Sequence, residues 1–543
     1  MQLKFTLSLF LITLLLLLGN DSIAQQTVIP PPPGTDTVRV IQIIKANSLR
    51  SITIDSVTTI ETAAGNAVIQ EGLTTTYCDS VVINHHTNIV EAFGNIHIND
   101  NDSIHTYAQS LRYIGNDRIA YLKKNVKLTD KKGVLLTEEL EYNLRTGIAN
   151  YKTGGRIVNG KTTLTSTEGT YYADTKDVHF KKNVHLVDPK YDIRTDSLLY
   201  NLNTDIATFI APTHIVTSDG GIIDTRSGTY NLKTGEAIFF DRTFIRNKTQ
   251  SISGDKIAYD DKKGIVIAEG RAKLVDSINQ VTTISNYMEI NTKENSFLAY
   301  NKPVMILHKD KDSTFIAADT LYSGLRKYDS LQRKKITGND TLKKTLVVNV
   351  DSKDTAIRYF LGFHHVRIFN DSLQAVSDSL YYSTEDSTFK LFGNPIAWNA
   401  KTQIKGDTMY MYTANQKPKR LYVFYNSIVI SQTEKDLFNQ IGGRTLNGYF
   451  KDGEIDYIRV KGSPAESIFY PQDNDSAYTG MNRSSSDVID IFFVQKELNK
   501  VKFINDVDGV MYPIKQIPAD KKELKNFKWL DARRPKNKLE LFE

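Results

Sequence analysis

One short phrase recurs along this chain at nearly constant spacing, and that periodicity restricts the fold more than any other property. The phrase is a polar residue, one intervening residue, an aliphatic residue, one more residue, then Tyr or an apolar side chain. It reads Glu138-Glu139-Leu140-Glu141-Tyr142, Asp196-Ser197-Leu198-Leu199-Tyr200, Asp255-Lys256-Ile257-Ala258-Tyr259 and Asp378-Ser379-Leu380-Tyr381-Tyr382. Its first positions fall at 79, 109, 138, 167, 196, 226, 255, 286, 319, 378, 407 and 445, and the first six gaps are all 29 or 30 residues. A constant period of this kind marks an array of one supersecondary unit, and the alternation marks a strand with one buried face. The single 59-residue gap holds an insertion near 324–352, rich in Lys, Asp and Thr.

A second strand follows each phrase, as in residues 89–98, 119–128, 178–186 and 264–274. In each the alternation slips near a Gly-Asn or Lys-Asn pair and then resumes. A bulge or corner needs one extra residue there, and Gly and Asn tolerate the backbone angles it requires. Each second strand is therefore expected to turn a corner and contribute to two sheets. Short polar turns such as Thr146-Gly147 and Thr234-Gly235 separate the strands. Tight turns join antiparallel neighbours, whereas parallel ones need long crossovers. The expected fold is all-β, an elongated antiparallel array of about 29-residue two-strand repeats, with a parallel β-helix as the alternative. About twelve repeats of two strands, ~4.8 Å apart, extend on the order of 100 Å.

Aligning the second strands stacks apolar residues in columns. One reads Ala92, Leu122, Phe180, Phe209, Phe239, Ala268, Tyr300, Phe392 and Phe424. Another, six residues later, reads Ile98, Leu128, Leu186, Ile215, Ile245, Leu274, Ile306, Trp398 and Ile430. Side chains alternate across a strand, so each column is expected to face one way along the rod. Such a strip is either an ordinary core or, if the two sheets stay apart, the lining of a slot for acyl chains. The candidate lining residues are Leu122, Phe180, Phe209, Phe239, Tyr300, Phe392 and Phe424 from the first column, with Leu128, Leu186, Ile245 and Trp398 from the second.

The termini and composition bound the setting. Lys4, an apolar run over residues 5–18 and the small residues Ser22-Ile23-Ala24 form an export signal, with cleavage expected after residue 24. The run is shorter than the ~20 residues that span a bilayer. Cys78 is the sole cysteine, which excludes an intrachain disulfide, and it lies too far from the cleavage point to carry a lipid anchor. A net charge of +6, from 68 basic and 62 acidic residues, is too small to argue nucleic acid. His85-His86 and His364-His365 sit on strands, where neighbours point to opposite faces, so neither pair is expected to chelate a metal. Asn99-Asp100-Asn101-Asp102 lacks the Gly and Glu spacing of a calcium loop. No catalytic residue, cofactor or metal site is expected.

The recurring phrases resemble the OstA-like (LptA-type) lipopolysaccharide-transport family over roughly residues 60–461. Ala318-Asp319-Thr320-Leu321-Tyr322, Val376-Ser377-Asp378-Ser379-Leu380-Tyr381-Tyr382 and Glu91-Ala92-Phe93-Gly94-Asn95-Ile96-His97-Ile98 carry the likeness. The resemblance implies a twisted, partly open β-jellyroll that binds lipid A acyl chains inside. It also implies a non-enzymatic, periplasmic bridge to the outer membrane, stacked edge to edge with other transport proteins and serving an outer-membrane translocon. The chain departs from it in its length, its insertion and the absence of a following membrane barrel, for which residues 463–543 are too few. The expected division is a signal peptide at 1–24, a Pro-rich leader and first strand at 25–59, the repeat array at 60–462, and a C-terminal strand pair with a basic tail at 463–543. Residues 473–486 read as a polar loop, and residues 519–534 as a helical segment. A structural or adhesive surface solenoid without lipid, or a carbohydrate-processing β-helix enzyme, are the competing functions.

Overall fold

The computed structural model describes residues 41–542 except 101, 131–132, 310–312, 327–356, 415–416, 453, 474–476 and 495–496. The expected export signal, and most of the insertion, lie outside the described residues. Residues 324–326, which the sequence reading gave to the insertion, continue the strand Thr320–Arg326, with Arg326 paired to Ile357.

The described chain is all-β, and every strand pairing is antiparallel and joins near neighbours in sequence. Long strands such as Asp177–Asp188, Ile265–Asp276 and Ile357–Phe369 bend in the middle. Their register slips there, between Lys181 and Val184 in the first of them. At the bend two residues take left-handed backbone angles: Lys182 and Asn183 (φ 61° and 52°), Gly94 and Asn95 (73° and 43°), His364 and His365 (58° and 51°). The bends divide the hydrogen-bonded network into two faces of a jellyroll. Sheet 1 holds the part of each such strand before the corner, and sheet 2 the part after it.

The phrase's leading polar residue caps this corner. Asn95 donates to the Asp79 carboxylate at 3.0 Å, Arg271 to Asp255 at 2.8 and 2.9 Å, and Asn426 to Asp407 at 2.9 Å. At Gly94 the carboxylate sits so close that a Cβ would lie 2.2 Å from an Asp79 oxygen, which adds to the need for glycine. The histidine pair 364–365 is such a corner, so the strand breaks where it was expected to run straight. The two rings still part company, His364 pairing with Asp378 at 3.1 Å and His365 with Asp319 at 2.8 Å.

Two C-terminal expectations change. Gly480–Val494 is one strand that pairs with both Glu497–Ile504 and Asp508–Pro513, so residues 480–486 are not loop. Ser486 lies buried in it and donates to the Val488 carbonyl. Residues 519–534 form no α-helix, only 3-10 turns at Ala519–Lys521 and Asp531–Arg533. Pro518 precedes the first turn and Pro535 follows the second, and the backbone between them finds its partners on the sheet beneath.

Candidate functional site

Between the two sheets, the C-terminal part of the array encloses a cavity of about 2290 Å³. Drug-sized ligand pockets are ~300–1,000 Å³, so this one fits a far larger ligand. On sheet 2 it starts at Asn247 and Gln250, beside Leu274 of the strand Ile265–Asp276, and it reaches Phe493, on Gly480–Val494. At ~4.8 Å per strand that is roughly 50 Å of slot. One wall is sheet 1, with Phe297, Phe360 and Phe389; the other is sheet 2, with Met305, Ile316 and Val429. The lips are polar because they are hairpin turns, whose backbone and Asx side chains must meet water. Asn295, Arg358 and Thr384 edge the first lip, His308, Asn370 and Thr402 the second. The Arg358 guanidinium joins a turn to a strand along this lip, donating at 3.3 Å to both the Asn295 carbonyl and the Ser323 hydroxyl. Apolar walls below polar lips complement a ligand with several tails and a hydrated head.

The N-terminal part of the same array is filled. Phe180, Phe209 and Phe239 are at most 1% exposed and belong to one continuous core with Leu186, Ile193 and Ile215. Phe209 and Phe239 stack with ring centres 6.3 Å apart. Leu122 is buried in the neighbouring core cluster, with Leu128 against it, and Ile245 packs at the edge of the Phe180 core.

From the strand Ser296–Tyr300 onward the two apolar columns read from sequence slip by one residue. Tyr300 and Phe392 are exposed on the outer face, at 40% and 36%, and Phe424 packs outside, edge-on to Tyr410 and tilted against Tyr422. The inward positions are Ala299, Leu391 and Val423, each two residues before its corner pair. Ile306, Trp398 and Ile430 likewise face outward from sheet 2, beside the inward Met305, Ala397 and Val429. Of the eleven candidate residues, Trp398 alone adjoins the cavity. The corner pair was the signal that would have kept the register: Asn301-Lys302, Gly393-Asn394 and Tyr425-Asn426 all have positive φ.

What covers the outside of the hollow part was not readable in advance. Residues 514–542 run back along the outer face of sheet 2, over the strands that form the slot. Gln440 donates to the Lys522 carbonyl and accepts from the Leu524 N–H, both at 2.8 Å; Gln403 does the same with Lys528 and Leu530. Arg534 donates to Gln374, and Arg367 to the Glu540 carbonyl at 2.7 Å. Leu524 and Leu541 are buried against Ile430, Met481, Val304 and Ala317. On the outer face of sheet 1, Tyr449 stacks on Tyr457 at 4.5 Å, and Arg420 lies over Tyr412, Tyr422 and Tyr449. Arg459 and Asp490 form a two-pronged pair at 2.7 Å.

Residues 39–196 match the family model described as OstA-like protein. The chain carries an OstA-like region. Among solved structures it is similar to the crystal structure of LptH, the LptA-homologous periplasmic component of the conserved lipopolysaccharide transport device from Pseudomonas aeruginosa. That likeness is 16% in identity, over 20% of this chain and 80% of that one, with a TM-score of 0.19. No curated protein matches the chain. The OstA-like region ends inside the filled part of the array, and the slot lies beyond it.

Proposed function

We propose that this protein binds lipopolysaccharide and carries it, without chemistry, across the periplasm toward the outer membrane. The acyl chains of lipid A lie in the slot, and the sugar and phosphate head stays at the polar lips. The observation that carries this reading is the cavity: about 2290 Å³, apolar walls, polar lips. A slot of that size removes several acyl chains from water at once, and each buried methylene contributes ~0.8 kcal/mol. The OstA-like region and the likeness to a component of a lipopolysaccharide transport device support the choice of lipid. The export signal at 1–24 supports the compartment. Partner transport proteins dock by strand addition; at the C-terminal end Asp508–Pro513 pairs on one side only among the described residues.

Photo-crosslinking tests the reading. A benzophenone side chain placed at Phe389 or Ile316 labels lipopolysaccharide in the full mature chain, whereas the same group at Phe209 does not. Labelling from outward positions such as Tyr300 at equal yield would favour a surface solenoid that only adsorbs lipid.

A further inference from the structure

Sheet 1 carries a second inward column, one step nearer the hairpin turns than the corner. From Tyr113 to Tyr259 every second strand supplies a tyrosine to it: Tyr113, Tyr142, Tyr171, Tyr200, Tyr230 and Tyr259. The strands between supply only Ala or Val, for example Ala207 between Tyr200 and Tyr230, and Ala237 between Tyr230 and Tyr259. A large ring flanked by small neighbours has nothing beside it in its own sheet to lean on, so it extends toward the other sheet. Tyr113 donates across the mouth to Glu71 at 3.4 Å, and Tyr230 meets Tyr191 of sheet 2 edge-on at 4.8 Å. Tyr200 and Tyr259 anchor to Asp205 and Asp261 in the turns of their own sheet, at 2.9 and 3.0 Å, and Lys190 of sheet 2 meets Asp261 across the mouth at 3.8 Å. These tyrosines act as rungs that close the mouth over the filled part of the array.

The column changes character at one place. After Tyr259 and Val266 it reads Ile290, Phe297, Ser323 and Phe360. Ile290 and Phe297 are the first of its members to line the cavity. Tyr382 does appear later, but its neighbours in the sheet are Phe360 and Phe389, and its ring lies on Phe389 at 4.4 Å instead of crossing. The alternation of tyrosine with small residues thus stops where sheet 1 begins to line the slot.

We infer that Tyr259 is the last rung, and that the Tyr259–Ile290 step sets the blind end of the slot and with it how many acyl chains one molecule holds. This inference rests on the lipid reading above. One rung spans two strand spacings, roughly 10 Å of a slot of roughly 50 Å.

The test is a count of myristate molecules bound per full-length mature chain, by native mass spectrometry. Ile290→Tyr with Phe297→Ala writes one more rung into the column and is expected to lower the count by about a fifth. Tyr259→Ser with Tyr230→Ser removes two rungs and is expected to raise it. Ile290→Tyr alone, which adds bulk without clearing its neighbour, guards against a double variant that fails to fold, and is expected to lower the count as well. An unchanged count in folded variants would overturn the inference. No myristate on the unaltered chain would instead remove the lipid reading itself.

Discussion

Residues 59–260 and residues 265–513 are built from the same repeat, with the same corners, turns and strand order, yet one part is filled and the other hollow. In the first, tyrosine rungs and Phe180, Phe209 and Phe239 meet across the gap, so burial comes from inside. In the second the inner faces stand apart, and the stabilising contacts move outside. Sheet 2 is backed by the C-terminal segment with its glutamine clips, and sheet 1 by stacked Tyr and Arg side chains. The contrast shows how a repeat array opens a cavity without losing its fold: each sheet acquires a second packing surface on its back.

The largest effect separates the two parts by their cores. Phe239→Ala should cost about 3–5 kcal/mol, because a fully buried ring leaves a cavity between closed sheets. Phe389→Ala, on the wall of the slot, should cost about 1 kcal/mol while lowering lipid binding. Denaturant unfolding of both variants, followed by hydrogen exchange in each part, checks the pair. Equal costs would mean that the slot is as tightly packed as the core.

Next is the backing. Gln440→Leu removes both partners of the Lys522 carbonyl and the Leu524 N–H and should cost about 1–3 kcal/mol. Its signature is local: faster exchange at 520–530 and in the strand Leu437–Lys451, with the N-terminal part unchanged.

How far the sequence could be read follows the same division. The repeat, the antiparallel strands and the corners were visible because period, alternation and Gly-Asn or Lys-Asn pairs all agree. The inward columns were right from Ala92 to Ala268, even though Phe93, Ile238 and Phe240 lie exposed on the outer face there. They slipped at Tyr300, where an alignment led by ring size follows the wrong side. The hollow itself left no periodic trace beyond the loss of tyrosine at Ile290. The glutamine clips were invisible, since Gln403 and Gln440 look like ordinary strand polars until residues 522–530 lie against them.

Alkaline pH should sharpen the contrast further. Burial, with Glu71 beside it, pushes the Tyr113 phenol up to about 12, and burial alone does the same for Tyr151. Tyr200, Tyr230 and Tyr259 are raised as well, again mainly by burial. The unfolded chain releases these protons near pH 10 while the folded chain keeps them. Their contribution is therefore complete below pH 10 and is lost as the pH rises toward 12. Exchange in the N-terminal part should quicken over that window. The fluorescence of Trp398 and Trp529, both in the hollow part, should respond less.

The smallest effect belongs to the corners. Lys182→Ala breaks an exposed pair with Glu168 and should change stability by less than about 1 kcal/mol. A thermal melt that shifts by more would give the corner ladder a larger share of the fold than its solvation permits.

The central claim, a slot confined to the C-terminal part that holds acyl chains, is tested most directly by a crystal structure with brominated myristate. The account predicts anomalous bromine peaks between Ile316 and Phe389 and none among Phe180, Phe209 and Phe239. Peaks confined to the outer faces, or found in the filled core, would contradict it.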